Sequence, residues 1–267
     1  MVINHFSERT IESYLRGPKK LCGYYNLIPC EIDNEQILDF LVFLKEQKNH
    51  SRSSIRIYAA GIKYLYKHFY NRKDILEYIP YPKKARKLPV ILSGKEVKKL
   101  FEVTTNIKHR VLLKLTYGSG LRRNEIRQLK VVDIDSKRMV LRIENSKGAK
   151  DRNSILPKSI LPELRGYCRQ HQPEKYLFYG RSKDKPISEE AIRWAFDNAV
   201  KKAGIRKNVF LHSLRHSFAS HLLSTGHNLI TIQQLLGHED IRTTMVYLQV
   251  NYQKTMPPVS PLDTIYP

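Results

Sequence analysis

Cysteine is scarce in this sequence: among 267 residues only Cys22, Cys30 and Cys168 occur. An odd count, with no Cys-x-x-Cys pair and no Cys/His pairing at ligand spacing, offers neither a disulfide framework nor a zinc site. The three are expected to be reduced packing residues. Long apolar runs are missing as well. No stretch approaches the roughly 20 apolar residues a membrane-crossing helix needs, and Met1 to Glu12 turns polar where a secretory leader would carry its apolar core. The expectation is a cytoplasmic protein with no membrane partner. The third shortage is of negative charge, 25 Asp and Glu against 47 Lys and Arg, for a net +22. No acidic cluster stands out that would hold magnesium, and no Gly-x-x-x-x-Gly-Lys-[Ser/Thr] loop would cradle a nucleotide. No cofactor or metal is expected.

What is present is enough apolar material, 41% of residues, to build one large or two modest cores, which excludes disorder as the main description. A charge of +22 asks for a polyanion, and nucleic acid is the commonest large one. The excess is spread along the chain: residues 1–87 hold 16 basic and 9 acidic side chains, residues 88–267 hold 31 and 16. Between them runs Pro80-Tyr81-Pro82-Lys83-Lys84-Ala85-Arg86-Lys87-Leu88-Pro89, where prolines block helix continuation and like charges repel. The expected organisation is a domain over 1–80, a basic Pro-rich linker over 81–89, a second domain over 90–250 and a tail over 251–267. Lys83, Lys84, Arg86 and Lys87 become candidate contacts to a DNA backbone.

The first domain reads as all-helical. A helix is expected from about Ser7 through Tyr14, ending near Gly17-Pro18. Asp33 and Gln36 form a capping box before Ile37, Leu41 and Leu44, and Ile55, Tyr58, Ala59, Ile62, Leu65, Tyr66 and Phe69 recur at helical spacing. Arg52, Arg56, Lys63 and Lys67 fall at polar positions of that third helix, the first three as candidate DNA contacts. The second domain opens with a capping box at Ser93 to Glu96. Helices follow over 107–117 and from Arg123, then a strand over 139–144, a turn over 146–150 and a strand over 154–156. Helices are expected again from Ser188, over 212–224 and over 229–236. The fold class is mainly α with a small β-sheet (α+β).

Three clusters collect cations and a phenol: Gly120-Leu121-Arg122-Arg123-Asn124-Glu125, Leu211-His212-Ser213-Leu214-Arg215-His216, and Leu235-Leu236-Gly237-His238, with Tyr247 nine residues further on. Gly-Leu-Arg-x-x-Glu, His-x-Leu-Arg-His, Leu-Leu-Gly-His and Thr243-Thr244-x-x-Tyr247 stand in the order and at the intervals of the tyrosine recombinase (phage integrase) family. The chain resembles that family, including the Xer recombinases and integron integrases. Chemistry points the same way. Attack on a phosphodiester crowds charge onto the non-bridging oxygens, and side-chain cations must meet it where no carboxylate-held metal does. Arginine's planar fork suits that task, and Arg122 and Arg215 are the expected phosphate clamps. His212, three residues before Arg215 on one helix face, addresses the same phosphate.

The resemblance implies a helical SAM-like core-binding domain joined to a recombinase catalytic domain. It also implies DNA integration, excision or resolution through a 3'-phosphotyrosyl intermediate at double-stranded sites. By it His212 is an acid or base partner, His238 a donor to a non-bridging oxygen and Tyr247 the nucleophile, with Tyr252 its competitor. Lys147 in the hairpin turn is the general acid for the leaving 5'-hydroxyl, with Lys150 in reserve and otherwise a candidate DNA contact. Glu125 positions Arg122 or its helix, and His216 and His221 support packing or hydrogen bonds. The family also implies a homo-oligomer on DNA, a dimer per site and a tetrameric synapse, near the nucleoid, with the tail a candidate for reaching a neighbour's pocket. Val259-Ser260-Pro261-Leu262-Asp263 resembles the ending of integron integrases. Leu248-Gln249 departs from the Thr-His that relatives often carry after the tyrosine, and residues 158–210 leave no room for the extra helix of the integron subgroup. Two other readings stay open: DNA relaxation by a type IB topoisomerase-like enzyme, which strand exchange would separate, and a silent DNA-binding accessory protein, for which Tyr247→Phe would change nothing.

Overall fold

The computed structural model describes residues 6, 8–72, 74–75, 88–146 and 150–251, and the chain forms two units, Met1–Lys87 and Leu88–Pro267. Most of the basic strap, the turn residues 147–149 and the tail after Asn251 lie outside the described residues.

The first unit is built on α1 (Glu8–Tyr25), α2 (Asn34–Glu46) and α3 (Arg52–Phe69). Asp33 starts α2 as a capping box: its carboxylate accepts from the Gln36 backbone N–H at 2.8 Å, and the Gln36 side chain accepts from the Asp33 N–H at 3.0 Å. Ser51 caps α3 by accepting the Ser54 N–H on its hydroxyl. Leu21, Ile37, Phe40, Leu44, Ile55, Ile62 and Tyr66 form the core these helices share. One expectation fails here. α1 does not stop at Gly17-Pro18 but runs through both to Tyr25. Proline removes the N–H that would bond the Tyr14 carbonyl one turn back. That carbonyl lies against the bare Cα of Gly61 on α3, while a Cβ on Gly17 would sit 2.5 Å from the Tyr58 carbonyl oxygen. The glycine read as a stop is a point of close backbone approach, and packing against α3 carries the helix past its proline.

The second unit runs α4 (Gly94–Glu102), α5 (Ile107–Gly118), α6 (Arg123–Gln128), β1 (Ile134–Asp135), β2 (Val140–Ser146), β3 (Lys150–Ile155), α7 (Leu161–His171), α8 (Glu189–Ala203), α9 (Leu211–Ser224), α10 (Leu229–Leu236) and α11 (Ile241–Asn251). The strands form an antiparallel sheet in the order β1-β2-β3, with Leu141 opposite Ser154 and Ile143 opposite Arg152. Strand alternation then turns Leu141, Ile143, Arg152 and Ser154 to one face. The Ser154 hydroxyl anchors that face by donating to the Ser119 carbonyl at 2.7 Å. Sequence periodicity misses β1, two residues long, α7, whose Pro162 stands in the first turn, where no N–H is needed, and α11. One core gathers Leu112, Leu113, Leu115, Ile126, Leu141, Tyr167, Phe178, Ile192 and Leu214. A smaller cluster of Phe218, Ala219, Ile232, Leu236 and Tyr247 joins α9, α10 and α11. Among the described residues no helix is long and apolar enough to cross a membrane.

Candidate active site

Four segments converge. Gly120 holds a left-handed φ of +60°, and a Cβ there would lie 2.5 Å from the Phe218 ring, so only glycine lets this turn close on α9. Arg122 follows as the N-cap of α6, and Glu125 in its first turn accepts from the Arg122 backbone N–H and from its guanidinium, each at 2.7 Å. α9 carries His212, Arg215 and His216. α10 ends in a left-handed cap at Gly237, φ +60°, which swings the chain to His238, and α11 brings Thr244 and Tyr247.

The arginines tie these segments together. Arg215 is completely buried and donates to the Gly120 carbonyl at 2.6 Å and to the Leu236 carbonyl. Arg122 donates to the Gly237 carbonyl at 2.7 Å. From β3, Arg152 donates to the second carboxylate oxygen of Glu125 at 2.7 Å and to the Leu235 carbonyl. Glu125 thus sits among three guanidiniums, with Arg215 at 3.7 Å. Burial opposes its charge, but Arg152, the Arg122 N–H, Arg215 and Arg122 outweigh it and hold the carboxyl below its usual range. Burial, with Arg122 beside it, pulls Arg215 down to about 9, which leaves it charged at neutral pH. Among the described residues, Nε of Arg152 and Nε of Arg215 are buried without a partner, an unmet demand for an acceptor.

The histidines are kept neutral. His238 shares a 2.9 Å hydrogen bond through Nδ1 with the buried Thr244 hydroxyl, and burial together with Arg215 and Arg122 pulls its pKa down to about 3. His216 shares a 2.9 Å bond through Nδ1 with the Tyr247 hydroxyl, and its pKa falls to about 4 through burial, His212 and Arg215. His212 packs its ring edge-on against His216, with centroids 4.6 Å apart. The residue is exposed, yet desolvation of its ring plus Arg215 and Arg122 lowers its pKa to about 4. Tyr247 is only 2% exposed, and burial raises its phenol to about 12 against the pull of Arg215 and Arg122.

Of the sequence candidates, Arg122, His212, Arg215, His238 and Tyr247 therefore lie on the elements that meet here. Lys147 lies outside the described residues, as do Lys83, Lys84, Arg86, Lys87 and Tyr252, and Lys150 opens β3. Arg52 and Arg56 are exposed on α3. Lys63 departs from the expectation of a polar, DNA-facing position: it is 3% exposed and burial lowers its pKa. The reason is its place beside Ile62, at the edge of the wide buried stripe of α3, where the helix turns its side chain inward with the apolar residues. Sequence reasoning missed Arg152. Its signal was the alternation Arg152, Ser154, Leu156, which puts a guanidinium in phase with the inward residues of a strand.

Residues 91–254 match the phage integrase family, and residues 1–76 match the phage integrase N-terminal SAM-like domain. A Sinorhizobium fredii chain provisionally named integrase/recombinase is 37% identical over 266 residues, covering 99% of this chain and 86% of its own. Tyrosine recombinase XerA of Pyrococcus furiosus is 37% identical over 218 residues, 80% of this chain and 75% of its own. In fold, the chain is similar to a lambda integrase dimer bound to a core site, with a TM-score of 0.74 at 15% identity, covering 97% of this chain and 94% of that one. The chain belongs to the phage integrase family. It is a site-specific tyrosine recombinase, an enzyme that cleaves and rejoins DNA strands.

Proposed function

We propose that Tyr247 attacks the scissile phosphorus of a double-stranded recombination site and leaves a 3'-phosphotyrosyl link. The Tyr247 oxygen forms the new P–O bond, the bond to the 5'-oxygen breaks with its electron pair, and that oxygen takes a proton from Lys147, with Lys150 in reserve. Arg122 and Arg215 hold the non-bridging oxygens, with His212 and His238 as further donors or proton partners. The phenol proton needs a destination, and the neutral ring of His216, in hydrogen-bond contact with the hydroxyl, supplies one. Rejoining is the reverse attack by a 5'-hydroxyl. Because the phosphoester energy stays in the covalent link, the cycle needs no ATP.

The observation that carries this reading is the joint burial of Tyr247 and Arg215 on elements that also bring Arg122 and His238 to the same turn at Gly237. In this reading the domains over 1–80 and 90–250 both hold the duplex and the strap over 81–89 follows its backbone, with Arg52 and Arg56 on phosphates. The enzyme acts as a homo-oligomer, a dimer on each site and a tetramer in synapsis, in the cytoplasm at the nucleoid. The test incubates wild type and Tyr247→Phe with nicked suicide duplexes from DNA flanking the gene, in magnesium-free buffer. Wild type alone should give an SDS-resistant protein–DNA adduct. An adduct with Tyr247→Phe moves the nucleophile elsewhere, with Tyr252 next.

A further inference from the structure

We propose that Arg152 is a positioning residue that acts as the counter-ion of Glu125, so that Arg122 and Arg215 keep their charge for the scissile phosphate; this rests on the reading of the site above. Glu125 is useful for geometry, since it fixes both the backbone and the guanidinium of Arg122. Its charge has the wrong sign for that place. It lies 3.7 Å from Arg215 and 2.7 Å from Arg122, and every guanidinium it engages is drawn away from an incoming phosphate. A third cation resolves the conflict.

Arg152 is built for that task. Its side chain is 8% exposed, one end on Glu125 and the other on the Leu235 carbonyl. The bare Cα of Gly237 leaves it room, because a Cβ there would lie 2.7 Å from Arg152 Nε. The carbonyl of that same glycine takes Arg122. Opposite Arg152 on β2 stands Ile143, fully in the core, so an aliphatic residue at 152 would pack in this strand without the cost of burying a guanidinium. With Arg152 the three arginines and one carboxylate sum to two positive charges, the complement of the two negative charges on a phosphorane formed by a phenolate attacking a phosphodiester. Without it one remains. Lysine, a point charge lacking the fork, can restore the charge but not both bonds.

The test compares wild type, Arg152→Gln, Arg152→Lys, Glu125→Gln and the double variant Arg152→Gln/Glu125→Gln on a suicide duplex, reading adduct formation at saturating DNA and duplex affinity separately. Arg152→Gln should slow adduct formation about a hundredfold and leave affinity within about threefold, since the buried Arg152 guanidinium is held by Glu125 and the Leu235 carbonyl. Arg152→Lys should recover part of the rate. Removing the stranded carboxylate in the double variant should restore about tenfold or more, a gain that a merely structural brace would not give. The proposal is overturned if Arg152→Gln keeps its rate, or if the folded double variant is as slow as Arg152→Gln. If wild type binds its cognate duplex yet forms no adduct, the reading of the site fails first and the counter-ion role with it.

Discussion

Two helices, one from each unit, put the same oddity to different use. α3 buries Ile55, Ala59, Ile62 and Tyr66 with one cation, Lys63; α9 buries Leu211, Leu214, Phe218 and Ala219 with one cation, Arg215. α3 otherwise keeps a polar face, Arg52, Arg56 and Lys67, in water. α9 is enclosed along most of its length and satisfies its interior serines locally, as Ser217 does by donating to the Ser213 carbonyl at 2.7 Å. Burial lowers the proton affinity of Lys63 in the helical core of the first unit, whereas Arg215 is set among Arg122, Glu125 and Arg152. A buried cation is therefore no mark of function by itself. The groups around it decide, and those around Arg215 hold it at the meeting point of three other segments.

The largest expected effect tests that contrast directly. Arg215→Gln should lower the rate of adduct formation by at least about a hundredfold. It should also lower unfolding free energy in urea by about 3–5 kcal/mol, because it strands the Gly120 and Leu236 carbonyls and leaves Glu125 one cation short. Lys63→Met should leave the cleavage rate of the folded protein unchanged, since Lys63 is buried in the other unit. Equal losses in the two variants would break the comparison. Next in size are two glycines. Gly61→Ala drives a methyl into the Tyr14 carbonyl and should cost about 2–3 kcal/mol, with full activity in the folded fraction. Gly237→Ala should cost about 1–2 kcal/mol for its left-handed backbone, yet slow adduct formation about tenfold or more, because its Cβ displaces Arg152. Thermal unfolding and the adduct assay together separate the stability glycine from the site glycine.

The same contrast explains what the sequence disclosed. α2 and α3 were legible because caps and apolar spacing are local: Asp33, Gln36 and Ser51 act within three residues of themselves. Arg122, His212, Arg215, His238 and Tyr247 were legible through motif order, and their meeting place then follows from left-handed turns at Gly120 and Gly237 that spacing alone does not reveal. Gly17 misled because a glycine beside a proline signals a helix end, while its role depends on Tyr58, far along the chain on another helix. Arg152 was hidden for the same reason. Its partners, Glu125 and the Leu235 carbonyl, come from 27 and 83 residues away, and a lone arginine in a basic hairpin looks like any solvated charge.

A further expected effect is in acid, and it sharpens the difference between the units. His216 and His238 have folded pKa values pulled down to about 4 and about 3, below the ordinary value near 6.5. The unfolded chain therefore binds more protons at these sites, so their contribution is complete above about pH 6.5 and is lost as pH falls toward 4 and 3. Glu125 has the same sign but a lower window, since its depressed carboxyl loses stability only once pH drops below the usual carboxylate value. Between pH 7.5 and 5.5 these two histidines should cost about 2–3 kcal/mol, read as a falling urea midpoint, and His216→Phe should flatten that slope. Duplex binding should run the other way. In the proposed complex a phosphate beside His216 and His238 favours imidazolium, so binding should take up protons, seen in calorimetry as an enthalpy that depends on the ionisation heat of the buffer. A flat midpoint over that range would mean the imidazoles are hydrated in the free protein, and the enclosed, cation-rich character that separates α9 from α3 would be lost.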